Sequence, residues 1–166
     1  MRTEEQILTD IAASTWSDRG TVAYLVGKPA PGVHQPCEKV QVVVARGFAG
    51  DHEKKAFWKG QVIPGREVSA ISIEVLRSMG LAPDVSGDNL VTRGIDLSAL
   101  QEGDRLVMGP VTLVRGPKTH RPCALFRQRA GAAAFAVAAA GHRGALFFVA
   151  RGGPLSINDQ IRVERA

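Results

Sequence analysis

The sequence predicts a mainly β fold with a few short helices, closed as a barrel or stacked as a sandwich, and three observations carry that expectation. Short apolar runs recur at 21–26, 40–45, 67–71, 105–108, 111–115, 145–150 and 160–164, separated by Gly, Pro and Asp turn signals; many brief strands with frequent turns are the mark of such architectures. The run at 145–150 is continuously apolar, as a strand buried on both faces is, whereas Ile161 and Val163 alternate with polar neighbours, as on a strand with one wet face. Helical patterns, by contrast, are confined to brief segments.

Those segments can be placed in order. Thr3 followed by Gln6 has the spacing of a capping box, and Ile7, Leu8 and Ile11 then give one apolar face. Residues 1–20 are therefore expected as an N-terminal helical extension and 21–166 as the domain proper. Ser72 is placed to cap a helix over 73–79, with Glu74 in the first turn, where the helix dipole favours an anion, and Gly80 as the stop. A single helical turn is expected over 97–100 after Asp96. The alanine-rich stretch 132–140, ending at Gly141, reads as a helix by propensity, with Gly131 at its junction with 124–129. Residues 102–107 and 157–162 resemble one another as turn-then-strand units, through shared turn chemistry rather than duplication.

A chain of 166 residues suits one domain with a core of its own. With 45% hydrophobic and 22% charged residues the composition is that of an ordinary globular protein, and no stretch approaches the roughly 20 apolar residues of a membrane span. The first residues lack the basic-then-apolar pattern of a secretory signal, so a cytoplasmic location is expected, with Cys37 and Cys123 as free thiols. A net charge of +5, with Arg outnumbering Lys, favours an anionic partner, and guanidinium forks suit phosphate. Nucleic acid is a weak candidate: the basic residues are scattered, aromatics are only 5%, and no recognised binding motif is present. A small phosphorylated ligand fits at least as well.

The most informative stretch is Thr119-His120-Arg121-Pro122-Cys123. Arg121, with His120, could supply a positive field that favours the thiolate, the form that binds metals and attacks sulfur, while Pro122 restricts the backbone that aims it. The bland alternative is a small buried structural cysteine. Gly50-Asp51-His52-Glu53 gathers potential ligands in a loop, or is a solvated turn held by Asp51. Arg66, ahead of Glu67-Val68-Ser69, could reach a phosphate or pair with a surface carboxylate. Gly87-Asp88-Asn89-Leu90, followed by Val91-Thr92-Arg93-Gly94, sets a polar cluster between glycines. Backbone N–H groups there could approach an anion, and the Asn89 amide could meet a heterocycle edge, although a mere turn is also possible. There is no Gly-x-Ser-x-Gly elbow, phosphate-binding Gly-x-x-x-x-Gly-Lys loop, dinucleotide fingerprint or preformed zinc motif.

Taken in order, these pieces resemble the MOSC family, named for the C-terminal domain of molybdenum cofactor sulfurases. The match runs through 40–44 with Gly47 and Gly50-Asp51, then Arg66-Glu67-Val68-Ser69, Gly87-Asp88-Asn89-Leu90, Gly94-Ile95-Asp96-Leu97, Leu100, Gly103-Asp104, Gly109 and Pro122-Cys123, spanning roughly 21–165. The resemblance implies a β-barrel that binds the molybdenum cofactor, a pterin dithiolene carrying a phosphate. It makes Cys123 the expected catalytic residue and molybdenum ligand. Arg66, Ser69, Asp88, Asn89, Thr92, His120 and Arg121 become cofactor-binding residues, with Asp51 and His52 carried over on a partial match. Soft thiolate ligation of a transition metal and an Arg-rich surround for phosphate agree with the local chemistry. Departures are visible. The family often has arginine where His120 stands, Asp88 replaces the more usual glutamate, and His52 follows Asp51 at once.

The resemblance further implies an oxidoreductase component that acts on N-hydroxylated compounds, with electrons from a separate donor protein. The alternative is a non-catalytic cofactor carrier or sulfur-relay module in which Cys123 holds a persulfide. The pyridoxal-phosphate domain that mobilises sulfur in the sulfurases has no counterpart in this sequence. A structural or RNA-interacting barrel is the third reading. Cys37, which lacks the family match, is expected to be structural.

Overall fold

A computed structural model describes residues 1–53, 57–58 and 61–166. The chain begins with α1 (Glu4–Ala13), then β1 (Arg19–Gly27), β2 (Gln35–Cys37), β3 (Lys39–Val43), β4 (Gly47–Phe48), β5 (Phe57–Trp58) and β6 (Gln61–Val62). β7 (Val68–Ser72) leads directly into α2 (Ile73–Ser78), and β8 (Leu90–Arg93), β9 (Arg105–Met108) and β10 (Val111–Arg115) follow. α3 (Ala124–Ala130) and α4 (Ala132–Val137) precede β11 (Ala145–Arg151), β12 (Gly153–Ser156) and β13 (Gln160–Glu164). No helix among the described residues is long and apolar enough to cross a membrane.

Seven strands close into a barrel in the order β1, β13, β9, β10, β11, β7, β8 and back to β1. Closure is made by β1 against β13, with Arg19 opposite Arg162 and Thr21 opposite Gln160. Full closure leaves no edge strand among the seven to recruit another chain. The later half of β1 also pairs with β2, while β3, β4 and β12 form a separate three-stranded sheet. Barrel neighbours are antiparallel except β7 and β8. A parallel pair needs a crossover, and α2 lies within it.

Strand alternation divides the apolar side chains between two cores. Val22, Leu25, Val68, Leu90, Leu106, Met108, Leu113, Phe147 and Ile161 fill the barrel. On its outer surface Ala23, Ile71 and Val91 pack with Ile7 and Ile11 of α1, Leu76 of α2, Phe126 of α3 and Val137 of α4. A register shift in β1 between Val22 and Tyr24 puts Val22 and Leu25 on the same, inward side. Near the barrel wall Gly144 (φ +99) lies so close to the Ala70 carbonyl that a Cβ would collide with it.

Each strand expected from the sequence is present to within a residue or two. β8 differs: it occupies a stretch expected as part of a polar loop, because the glycine and carboxamide signals at 87–89 end where the buried Leu90 and Val91 begin. The Thr3–Gln6 capping box forms in both directions. Ser72 does stand at the N-terminus of α2, but its hydroxyl donates to the Ile95 carbonyl at 2.7 Å rather than capping the helix. The alanine-rich helix stops at Val137, and 138–142 widens into a π-type turn through Gly141.

Candidate functional site

A cavity of about 170 Å³ opens on the outer face of the barrel at the end of β1. Ser69 and Leu146, opposite one another across β7 and β11, line it. So do Lys28, just beyond β1, and the 85–87 turn before β8. Cys123, Phe126 and Arg129 contribute from the start and body of α3, with His120 preceding them. Cys123 occupies the residue before the first turn of α3, in extended conformation, and is an exposed free thiol. Arg66 also lines the cavity and enters no hydrogen bond or ion pair among the described residues. With Lys28, Arg66, Arg129 and Arg143 among its lining residues and no carboxylate, the cavity suits an anionic ligand.

Behind this wall lies a buried charged network. Asp88, fully buried, accepts from Arg143 Nη1 at 2.5 Å on one carboxylate oxygen and contacts His120 Nε2 at 2.9 Å with the other. Arg143 is itself buried, donates through Nη2 to the Ser86 carbonyl at 3.1 Å and stacks over the Phe126 ring at 4.8 Å. Burial alone would raise the Asp88 carboxyl, but the Arg143 charge and the His120 hydrogen bond outweigh it and hold the group below the usual carboxylate range. Burial and then Arg143 push the His120 imidazole down to about 4, against the pull of Asp88. His120 is therefore neutral at pH 7.

A second bracket fixes the cavity's edge. Asp51 accepts from the Lys28 backbone N–H at 2.7 Å and from Asn89 Nδ2 at 2.8 Å. Asn89 Nδ2 also donates to the Val26 carbonyl at 3.2 Å, and its Oδ1 accepts from the Ser69 N–H at 3.4 Å. Ser69 Oγ accepts from Lys28 Nζ at 3.2 Å. One amide thus ties the end of β1 to the starts of β7 and β8. Across the mouth Arg129 donates to the Gly32 carbonyl at 2.9 Å and contacts His34 Nδ1 at 2.8 Å. The His34 ring lies against Gly87 (φ +78), where a Cβ would fall 2.5 Å from its Nε2.

Cys123, Arg66, Ser69 and His120 are brought together at the cavity. The others take different places. Asp88 and Asn89 lie behind its wall, and the Asn89 amide, expected to meet a heterocycle edge, has both its oxygen and its nitrogen engaged by protein. Thr92 is fully buried and, by strand alternation, shares the inward face with Leu90. Asp51 serves the bracket, and His52 donates its backbone N–H to the Lys28 carbonyl at 2.8 Å. Arg121 is exposed and does not line the cavity. The positive field expected from His120 is absent because burial keeps its imidazole neutral. Sequence reasoning missed Lys28, His34, Arg129 and Arg143. Only Arg143 carried a visible signal, its position in Gly141-His142-Arg143-Gly144. Among the described residues no group of three or more His, Cys, Asp or Glu side chains could hold a metal ion, so Asp51, His52 and Glu53 do not make a metal centre.

A closed barrel with a thiol and a cationic cavity on its outer face defines the class. The MOSC domain model matches residues 61–162, and the chain belongs to the MOSC family, which is associated with molybdenum cofactor binding. Solved structures share the fold. YuaD from Bacillus subtilis superposes with a TM-score of 0.72 at 24% identity, covering 89% of this chain and 97% of its own. YiiM from Escherichia coli gives 0.60 at 18% identity, over 89% of this chain and 70% of its own. YiiM from Geobacillus stearothermophilus gives 0.61 at 16%, over 89% and 75%. At these identities the likeness is one of fold. No curated protein matches the sequence.

Proposed function

We propose that this domain binds the molybdenum cofactor at the Cys123 cavity and holds molybdenum through the Cys123 thiolate, as the metal-bearing component of an oxidoreductase. Its substrates are N-hydroxylated compounds, and its electrons come from a separate donor protein. The observation that carries the reading is the placement of an exposed free thiol on a cavity shared with Lys28, Arg66 and Arg129.

The donor set fits the group. A soft thiol suits molybdenum, and unpaired Arg66 with Lys28 and Arg129 suits a phosphate. At about 170 Å³ the cavity is smaller than the ~300 Å³ at which clefts for drug-sized ligands begin, so part of so large a ligand extends beyond it. Bound there, the cofactor would supply the redox chemistry. The protein's own part is to present the Cys123 sulfur, orient the pterin and neutralise the phosphate.

Protein produced in a cofactor-competent host should carry molybdenum, and Cys123→Ala should lose it while keeping its fold. A metal-free wild-type preparation from such a host overturns the reading. The exposure of Cys123 also favours a carrier or sulfur-relay role. That role predicts a reductant-labile sulfur adduct on Cys123 by mass spectrometry and no reduction of hydroxylamines with any electron donor.

A further inference from the structure

We propose that the start of β1 carries a ligand site of its own, a cleft in which Arg19 and Arg162 together bind the anionic group of a small organic phosphate. The inference does not depend on the reading of the Cys123 cavity. Thr21 and Lys28, which line the two sites, are seven residues apart in the chain, roughly 23 Å at the rise of an extended strand.

The cleft has a volume of about 530 Å³ and opens where β1 meets β13 and β9. Barrel closure sets Arg19 directly opposite Arg162, and Thr21 opposite Gln160. Opposed residues share a face, with Cβ atoms roughly 4.5–5.5 Å apart, and like charges so placed repel one another. Ile161 and Val163 belong to the barrel core, so Arg162 and Arg19 face outward, and both are exposed. The repulsion thus falls on the strand pair that closes the barrel. Arg162 donates from Nη2 to Glu164 at 2.5 Å, which leaves its other donors available. The Arg19 guanidinium enters no hydrogen bond or ion pair among the described residues. An anion seated between the two would turn the repulsion into a pair of charge-assisted hydrogen bonds.

The surroundings say which anion. Arg93 stands opposite Thr21 on one side of the cleft, and Arg105 lies two residues before Val107, itself opposite Arg162, on the other. Both are exposed, and Glu164 is the only carboxylate in β1, β8, β9 and β13. A ligand carboxylate occupies one guanidinium fork, whereas two opposed arginines flanked by two more suit the higher charge of a phosphate. Inorganic phosphate would leave most of the space empty. The volume lies within the ~300–1,000 Å³ of small-molecule clefts, and Thr21, Gln160 and Val107 offer an organic body a hydroxyl, a carboxamide and an apolar surface. A nucleic-acid strand is less suited, because no aromatic side chain lines the cleft to stack on a base.

The test is titration of the full-length protein at fixed ionic strength with inorganic phosphate, AMP, glycerol 3-phosphate and glucose 6-phosphate, followed by calorimetry and amide 1H–15N shifts. Saturable shifts are expected at Gly20, Thr21, Gly109 and Ile161, with at least one organic phosphate binding threefold or more tighter than inorganic phosphate. Arg19→Gln and Arg162→Gln should each weaken that binding by tenfold or more, while Arg77→Gln, exposed on α2, stays within twofold. Because Arg19→Gln removes one of two opposed charges, it should melt no lower than wild type in buffer free of multivalent anions, and should gain less than wild type when the phosphate is added. Shifts confined to Lys28, Ser69 and Gly87 would place the anion in the Cys123 cavity and overturn the proposal. So would equal losses for Arg19→Gln and Arg77→Gln, or no organic phosphate binding tighter than inorganic phosphate. Saturable shifts here with a DNA duplex, and with none of the small phosphates, would make this face a nucleic-acid surface instead and likewise overturn it. A protein that never carries molybdenum leaves the cleft assignment untouched and loses only the functional reading.

Discussion

Cys123 and His120 lie three residues apart and have opposite physical characters, one an exposed thiol and the other a buried neutral ring. That difference gives the site its pH behaviour. His120 has a folded-state pKa of about 4 against 6.5 unperturbed, so the unfolded chain takes up this proton first as pH falls. The stability it contributes is fully present above about pH 6.5 and declines toward pH 4. Asp88, held below its ordinary range, adds a further loss at lower pH still. Denaturation midpoints measured from pH 7.5 to 4 should therefore fall steadily, and His120→Gln should flatten the upper part of the slope. Equal slopes for variant and wild type would show that the ring is not buried neutral. The thiol, Arg66 and Ser69 were legible in the sequence because each sits in a short motif. The neutrality of His120 was not, since it depends on burial and on Arg143, both supplied by distant segments.

At the level of elements, the site depends on how closely β7 and β11 approach each other and on what the turns before β8 and β11 allow. Gly144 opens β11 with its Cα against the Ala70 carbonyl at positive φ. Gly144→Ala should cost more than the ~1–3 kcal/mol typical of core overpacking, because backbone rather than a flexible side chain must move. The check is the denaturant midpoint, and a loss below 1 kcal/mol would contradict the geometry. The same substitution should disturb Arg143 next door, and with it Asp88. Periodicity located β3 and six of the seven barrel strands because alternating burial writes itself into the sequence, but not the short strands β2, β4, β5, β6 and β12. It missed β8 because the polar residues at 88 and 89 are buried by charge and amide partners rather than exposed in a loop.

Across the whole molecule, two cores share one barrel wall. α1 looks like an appendage in the sequence, yet Ile7 is only 1% exposed and packs with Ile71, Leu76 and Val91. Deleting residues 1–14 should uncover this outer core and lower the melting temperature by several degrees, the shift expected from ~1–3 kcal/mol per lost buried side chain in a domain of this size. An unchanged melting temperature would mean that α1 is not part of the cooperative unit. The sequence by itself determined the strand-rich class, the capped N-terminal helix, the family and the thiol, because alternation, turn chemistry and short motifs are local properties. Only the tertiary structure decided that Asn89 clamps strands, that Thr92 faces the barrel interior, that Arg121 stands outside the cavity, and that Arg143 and His120 share the Asp88 carboxylate. Each of those depends on which distant segments meet, and barrel closure brings Asp88, His120 and Arg143 together across 55 residues of chain.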